Sequence, residues 1–187
     1  MKRVVNFPSL LFLLGLLQSS VFCIAAGAQI VPDGTLSTEV NSSDGLNFAI
    51  EGGDRVGNNL FHSFQDFSVP TDGSAVFNQA IDIENILNRV TGNSLSNIDG
   101  LIRANGAANL FLINPNGIVF GPNARLDIGG SFLATTANSV VFENGLEFSA
   151  ANPENITPLL SVNVPLGVQF GETPGDIVVR GEGFPET

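Results

Sequence analysis

Short apolar runs alternate with turn residues along most of this chain. Residues 46–50 read LNFAI and are followed by Glu51-Gly52-Gly53-Asp54. Residues 60–69 read LFHSFQDFSV and stop at Pro70-Thr71-Asp72-Gly73. Further runs occupy residues 75–77, 110–113, 118–120, 124–128, 131–135, 140–142, 168–170 and 176–180. Each is short and bounded by Gly, Asn, Asp or Pro, which is the pattern of strands between turns. One segment is ambiguous. Ile83, Ile86, Leu87 and Val90 stand at helical spacing, while Ile81 and Ile83 alternate with Asp82 and Glu84 as a strand would. Short runs read either way by periodicity, and we take this one as strand.

The spacing narrows the fold to two all-β classes. Between Leu101 and Phe142 the runs recur roughly every eight to eleven residues, which suits a β-sandwich and a parallel β-helix alike. The turns favour the helix. Two-residue Asn-Gly or Asp-Gly loops would mark tight hairpins. Here many turns are Pro- or Gly-Gly-containing corners, as at Gly121-Pro122-Asn123 and Gly129-Gly130, which bend the chain without an evident reversal. Coils wrapped in this way stack at the inter-strand distance of ~4.8 Å. Asn side chains at their corners can then bond from coil to coil as ladders do.

The first residues read as a targeting segment. Lys2 and Arg3 precede the apolar core LLFLLGLL at residues 10–17, and Ala26-Gly27-Ala28 is a small-x-small cleavage site. Residues 1–28 are therefore expected to be a signal peptide taken by the Sec machinery, with cleavage specified by Ala26 and Ala28. A membrane anchor is the alternative, but Gln18-Ser19-Ser20 breaks the run before it could span a bilayer. Cys23 suggests lipoprotein processing, except that the bulky Phe22 sits where a small residue is wanted.

Removing residues 1–28 takes away the only Lys, Cys and Met. It leaves five Arg against eighteen acidic residues, a formal net charge of −13. Such a polyanion is a poor nucleic-acid binder, because phosphate neutralisation supplies most of that affinity. Without Cys there is no disulfide framework, although an exported chain could carry one. The remaining residues, 29–187, suffice for one domain with its own core. High apolar content and low charge density argue against disorder.

The search for chemistry finds no convergent site. His62 is the only His, so a Ser–His–Asp arrangement could use no other base. Within LFHSFQDF it reads as a structural histidine. No His/Cys cluster has zinc spacing and no Asp-rich loop has calcium spacing. Gly52-Gly53 and Gly129-Gly130 lack the phosphate-loop pattern and its Lys. A β-helical polysaccharide enzyme would need clustered carboxylates. Asp82 with Glu84, and Asp127 with Arg125, are the only local candidates, and they alternate with apolar neighbours as solvated outer-face residues do. The Asn-x-Ser/Thr matches at Asn41 and Asn155 are short enough to arise by chance. The expectation is a non-enzymatic protein with no cofactor and no metal. A β-helical polysaccharide-active enzyme and a free-standing surface-binding protein stand as alternatives.

The tetrapeptide Asn114-Pro115-Asn116-Gly117 followed by Ile118 is the most informative local sequence. Pro115 fixes φ, Asn116 tolerates an unusual backbone angle, and Gly117 supplies φ > 0. Ile118 restarts the apolar run. The residues alone predict one sharp corner. Their context goes further. The order LFLINPNGIVFGPNA, LDIGG and ATTA within residues 101–142, with His62 in HSFQDFSV, Gly73, Val76-Phe77-Asn78 and Asn88-Arg89-Val90-Thr91-Gly92 upstream, resembles the N-terminal secretion domain of the filamentous haemagglutinin family. Those are the exported partners of two-partner secretion. The resemblance runs roughly from Val31 to Arg180.

That resemblance implies a right-handed parallel β-helix with an N-terminal cap and extra-helical strands. It implies recognition by an outer-membrane barrel transporter through periplasmic POTRA domains, passage in an unfolded state, and folding outside. It makes Asn114, Pro115, Asn116, Gly117 and Ile118 a candidate secretion motif. The Asn-Pro-Asn-Leu element of some family branches is missing here, so no contact is carried over from it. The chain stops at Thr187 with no evident closing element, and a solenoid takes a cap at each end. Continuation into a longer surface passenger, with a host or cell-surface ligand of its own, is therefore expected.

Overall fold

The computed structural model describes residues 30–143, 145–154 and 165–181. The expected signal peptide, with Ala26 and Ala28, lies outside the described residues, as does Asn155.

Seventeen strands and no helix make up the described residues. The central body is a parallel β-solenoid with three faces. On one face β3 (Asn47–Gly52), β6 (Ser74–Phe77), β9 (Leu101–Ala104) and β12 (Arg125–Ile128) stack in parallel. On the second, β5 (Asn59–Phe67), β7 (Asn85–Val90), β10 (Asn109–Ile113) and β13 (Phe132–Thr135) do the same. The third carries a bridge from Val69 to Ile98, then β8 (Ser96–Ile98), β11 (Ile118–Phe120) and β17 (Ile177–Val179). The chain visits the faces in turn, so each coil lies on the one before. The sandwich alternative is excluded, because these faces are joined by bends and paired in parallel.

Antiparallel strands close the N-terminal end. β1 (Ile30–Pro32) and β4 (Asp54–Val56) pair with β5, and β2 (Thr38–Asn41) pairs with β3. After β13 the chain leaves the solenoid to form a separate antiparallel sheet of β14 (Ser139–Phe142), β15 (Glu147–Ser149) and β16 (Pro165–Gln169). It returns as β17 to complete the last layer of the third face.

Two cores result. Inside the solenoid, rows such as Leu60, Ile86 and Leu110, and Phe48, Ala75 and Ile102, are buried and register-matched from coil to coil. The second core lies outside the second face, where Phe61, Leu87 and Ile113 pack under Val140, Phe142 and Phe148 of the extra sheet. β5, β7 and β10 are thus covered on both sides, which is why they read as nearly continuous apolar runs. Each fully buried Phe, Leu or Ile contributes about 1.5–3 kcal/mol, whereas a corner hydrogen bond contributes about 1. Packing therefore stabilises the fold, and the corners mainly set its register.

The corners do form ladders. Asn85 Nδ2 donates to Asn59 Oδ1 at 2.8 Å, and Asn109 Nδ2 donates to Asn85 Oδ1 at 3.0 Å. Asn109 Oδ1 then accepts from the Ser131 amide at 2.8 Å. At another corner Asp99 accepts from Thr71 one coil below and from the Asn123 amide one coil above. These bonds hold its carboxyl below the usual carboxylate range.

The 81–90 segment needs correction in part. Residues 85–90 are strand β7, but Ile81, Asp82, Ile83 and Glu84 form a corner. Ile83 is buried while Ile81 is 90% exposed. Arg55 holds Asp82 through a 2.7 Å ion pair, and Asn58 Nδ2 donates to Glu84 at 2.9 Å. The apparent alternation is therefore that of a turn, with one apolar residue in and one out. Asp127 pairs with Arg103 at 2.6 Å, and Arg125 lies at a neighbouring outer-face position.

Candidate functional site: the 114–118 corner

Asn114 follows directly on β10, and its environment explains the residue type. It is completely buried. Its Nδ2 donates to the Ser94 carbonyl at 3.0 Å and to Ser96 Oγ at 2.9 Å, both in the coil below. Its Oδ1 accepts from the Asn116 amide at 3.0 Å, closing an Asx turn. Its own amide donates to Thr135 O at 3.0 Å in the coil above. An Asp here would lose both downward donors and bury a charge.

A second turn is superimposed on the first. The Gly117 amide donates to Asn114 O at 3.1 Å, with Pro115 and Asn116 at the centre. Pro115 arrives with its φ already set. Asn116 Nδ2 reaches down to Gly92 O at 2.7 Å. Gly117 has φ +125°, outside the range of ordinary L-residues, and its carbonyl accepts from the Ser96 amide at 3.0 Å. Ile118 then enters the solenoid core with no exposed surface.

The corner is also covered from above. The Gly175 amide donates to Pro115 O at 2.8 Å, and the Ile118 amide donates to Asp176 O at 2.9 Å. Of the five motif residues, Asn114, Gly117 and Ile118 are buried, Pro115 is half-buried and Asn116 is exposed. In the folded domain, only Pro115 and Asn116 present surface to a partner.

Sequence elements that were separate in the chain meet at this edge. Gly92 lies below Asn116, and Thr135 of the ATTA segment bonds Asn114. The second Gly-Gly pair serves close stacking, since a Cβ at Gly130 would sit 2.5 Å from the Ala108 carbonyl oxygen.

Arg89 was not picked out individually from the sequence. It is among the largest fully buried side chains. Its Nε donates to Ser63 Oγ at 2.8 Å, one terminal nitrogen donates to Ser149 O at 2.8 Å, and the other donates to Thr35 Oγ1 at 2.9 Å and Pro153 O at 3.0 Å. Its guanidinium also lies 4.7 Å from the Phe148 ring centroid. One residue thus ties the N-terminal cap, the first two coils and the extra sheet together. Burial pulls its pKa down, opposed by the charges of Asp33 and Glu154. Asp33 accepts from Ser63, Thr91 and Thr35. Burial pushes the Asp33 carboxyl up, and those hydrogen bonds outweigh it and hold it below its ordinary range.

His62 is buried inside the first coil, with its ring near Phe64 and Phe77. Its Nδ1 has no hydrogen-bond partner. A Cβ at Gly53 would lie 2.8 Å from its Cε1, so the glycine backbone closes over the ring. Burial lowers its pKa to about 4, against a weaker upward pull from Asp54. Among the described residues, no nucleophilic side chain hydrogen-bonds its Nδ1. Among the described residues, no three His, Cys, Asp or Glu side chains are grouped as a metal site would require.

The chain is similar to known proteins over most of its length. Residues 28–185 match the family described as "TPS secretion domain". A heme/hemopexin-binding protein of Haemophilus influenzae is 40% identical over 58 residues, which is 31% of this chain and 6% of that protein. The crystal structure of a filamentous hemagglutinin secretion domain superposes with a TM-score of 0.52 at 25% identity, covering 60% of this chain and 44% of that one. The chain therefore spans a small part of the curated relative and under half of the solved structure.

Proposed function

Because the chain belongs to the TPS secretion domain family, we propose that it is the non-enzymatic secretion module of a haemagglutinin- or adhesin-like exoprotein, read by an outer-membrane barrel transporter through periplasmic POTRA domains. The observation that carries this reading is the family match over residues 28–185. The solenoid with its capped N-terminal end supports it.

In this reading residues 1–28 direct the chain to the Sec machinery and residues 29–187 form the secretion domain. The final destination is the cell surface or the medium. Energy for outward movement comes from folding outside, where buried apolar rows make return unfavourable. Leu126, Ile177 and Val179 are exposed on the last layer of the solenoid. They offer an apolar surface on which a following passenger coil can stack, and any host or cell-surface ligand belongs to that passenger. The net charge of −13, from five Arg and eighteen acidic residues after the signal, speeds encounter with a basic transporter face.

The 114–118 motif acts first as a corner. Its direct contact with the transporter is limited to Pro115 and Asn116 when the domain is folded. Alanine at Asn116 and at Gly117 separates the two roles. Loss of transporter binding with unchanged unfolding of the isolated mature chain assigns contact. Parallel loss of both assigns the corner. Full binding and export by both variants would remove the motif from the mechanism. Binding that ignores salt between 50 and 300 mM would remove the charge contribution, because exposed charges are screened over about 10 Å at 0.1 M.

A further inference from the structure

The third face of the solenoid is completed by a strand from far along the chain. β11 pairs below with β8, where Ile118 lies opposite Ser96, and above with β17, where Ile118 lies opposite Ile177. The first partner belongs to the preceding coil. The second arrives only after the chain has built the extra sheet of β14, β15 and β16. The two partners are held very differently. Ile98 and Ser96 of β8 are fully buried. Of residues 171–181, none is buried, and Val179 is 75% exposed. β17 pairs with β11 alone among the described strands. Segments with few buried contacts open well below the global unfolding free energy.

The contact between this segment and the motif is backbone on backbone. A Cβ at Gly175 would overlap the Asn116 carbonyl and sit 2.6 Å from the Gly117 nitrogen. Pro115 O and the Ile118 amide are both satisfied by it, and the Arg180 amide donates to Phe120 O at 2.7 Å. Lifting residues 175–180 therefore frees an unpaired strand edge from Pro115 to Phe120, without disturbing the bonds of Asn114 and Asn116 to the coil below.

We propose that residues 175–180 are a reversible strap over the 114–118 corner, which shields the upper edge of Pro115–Phe120 from the transporter in the folded domain and exposes it when the strap lifts. This rests on the reading above that the corner meets a transporter. The freed edge offers main-chain donors and acceptors, with the side chains of Pro115 and Asn116 beside it. It fits an extended segment of the transporter's periplasmic part, joined by strand addition. An exported chain would present this edge for as long as its β17 had not yet docked.

Amide hydrogen exchange on the mature chain tests the strap without any transporter. The Ile118 amide points to Asp176 of the strap, and the Gly121 amide points to Ile98 of β8 at 2.7 Å. The expected result is that Ile118 exchanges at least ~10-fold faster than Gly121 after correction for intrinsic rates, since strap opening is local. Equal protection of the two amides would show that β17 leaves only with the whole solenoid, and would overturn the proposal. Gly175→Val and Val178→Pro should each abolish the remaining protection of Ile118 while Gly121 keeps its own. Purified periplasmic domains of the transporter then bind both variants at least ~5-fold more tightly than wild type, an effect of about 1 kcal/mol. Equal, measurable affinity for wild type and for variants with an exposed Ile118 amide would overturn the shielding. If no form binds, the proposed function fails, and the exchange result alone decides the strap.

Discussion

The side-chain amide of Asn114 donates to the Ser96 hydroxyl at 2.9 Å, joining two successive coils where neither residue meets solvent. Removing it also takes away the donor that reaches the Ser94 carbonyl. Asn114→Ala is expected to cost about 2–3 kcal/mol, the scale of an unsatisfied buried polar group. Asn116→Ala should cost under about 1 kcal/mol, because water can replace its exposed side chain. Urea unfolding followed by far-UV circular dichroism measures both, the chain having no Trp or Tyr to report by fluorescence. An Asn116 variant less stable than the Asn114 variant would reverse the assignment of the buried residue as the corner's anchor.

Gly117 and Gly34 both have positive φ, at +125° and +78°, but in different surroundings. A Cβ at Gly117 would lie 3.1 Å from Asp176 O, and one at Gly34 meets nothing within 4 Å. Gly34→Ala therefore carries only the left-handed backbone penalty of about 1 kcal/mol. Gly117→Ala, in a region nearly reserved for Gly, should lose about 1–3 kcal/mol from backbone strain before any crowding. The comparison is read from the two unfolding midpoints in one buffer. Equal losses would mean the motif glycine is no more constrained than a surface turn.

Arg89→Met should be among the most damaging substitutions in the chain, at about 3–5 kcal/mol, because it leaves several buried acceptors unpaired at once. Arg89→Lys should recover little. A single ammonium cannot reach Ser63, Ser149, Thr35 and Pro153 together, which the planar guanidinium does. Thermal unfolding of the two variants checks this. A lysine variant as stable as wild type would show that charge, rather than the fork geometry, is what the site needs.

Acid should weaken the fold in two windows. The pKa of His62 is lowered from 6.5 to about 4 in the folded state. Between those values the unfolded chain holds more protons, so stability is full above pH 6.5 and falls as the pH drops towards 4. The total loss from this group is about 3 kcal/mol. Asp33, with its pKa below the ordinary 3.8, adds a further loss at lower pH, as the folded carboxylate is protonated. His62→Phe should remove the upper window and leave the lower one. Stability that is flat between pH 6.5 and 4 in the wild type would contradict the buried, neutral histidine.

Much of the solenoid was legible because its inward rows and corners are local patterns. Residues 118–120 and the run ending at Ile113 fall where apolar stretches meet Asn, Pro and Gly. The ladder of Asn59, Asn85 and Asn109 follows from corner chemistry. Strands outside the solenoid were expected from the family resemblance, but the residues alone did not show which ones they are. β14 and β16 have the same length and punctuation as coil strands, so their residues do not set them apart. The 81–84 corner mimicked a strand because Ile83 packs inward while Ile81 projects outward. Arg89 carried one unused signal, a cation in the middle of the apolar run NILNRV. The docking of Gly175 against Asn116 left no local trace, since it depends on a return of the chain after a separate sheet.

As proposed above, this chain carries the address for its own export. The most direct measurement places residues 1–187 ahead of a reporter in a Gram-negative host, with and without the partner transporter, and assays the medium and the periplasm. Reporter is expected in the medium only when the transporter is present, and in the periplasm when it is absent. Release into the medium without the transporter, or retention in the periplasm despite it, would rule out that role for the chain.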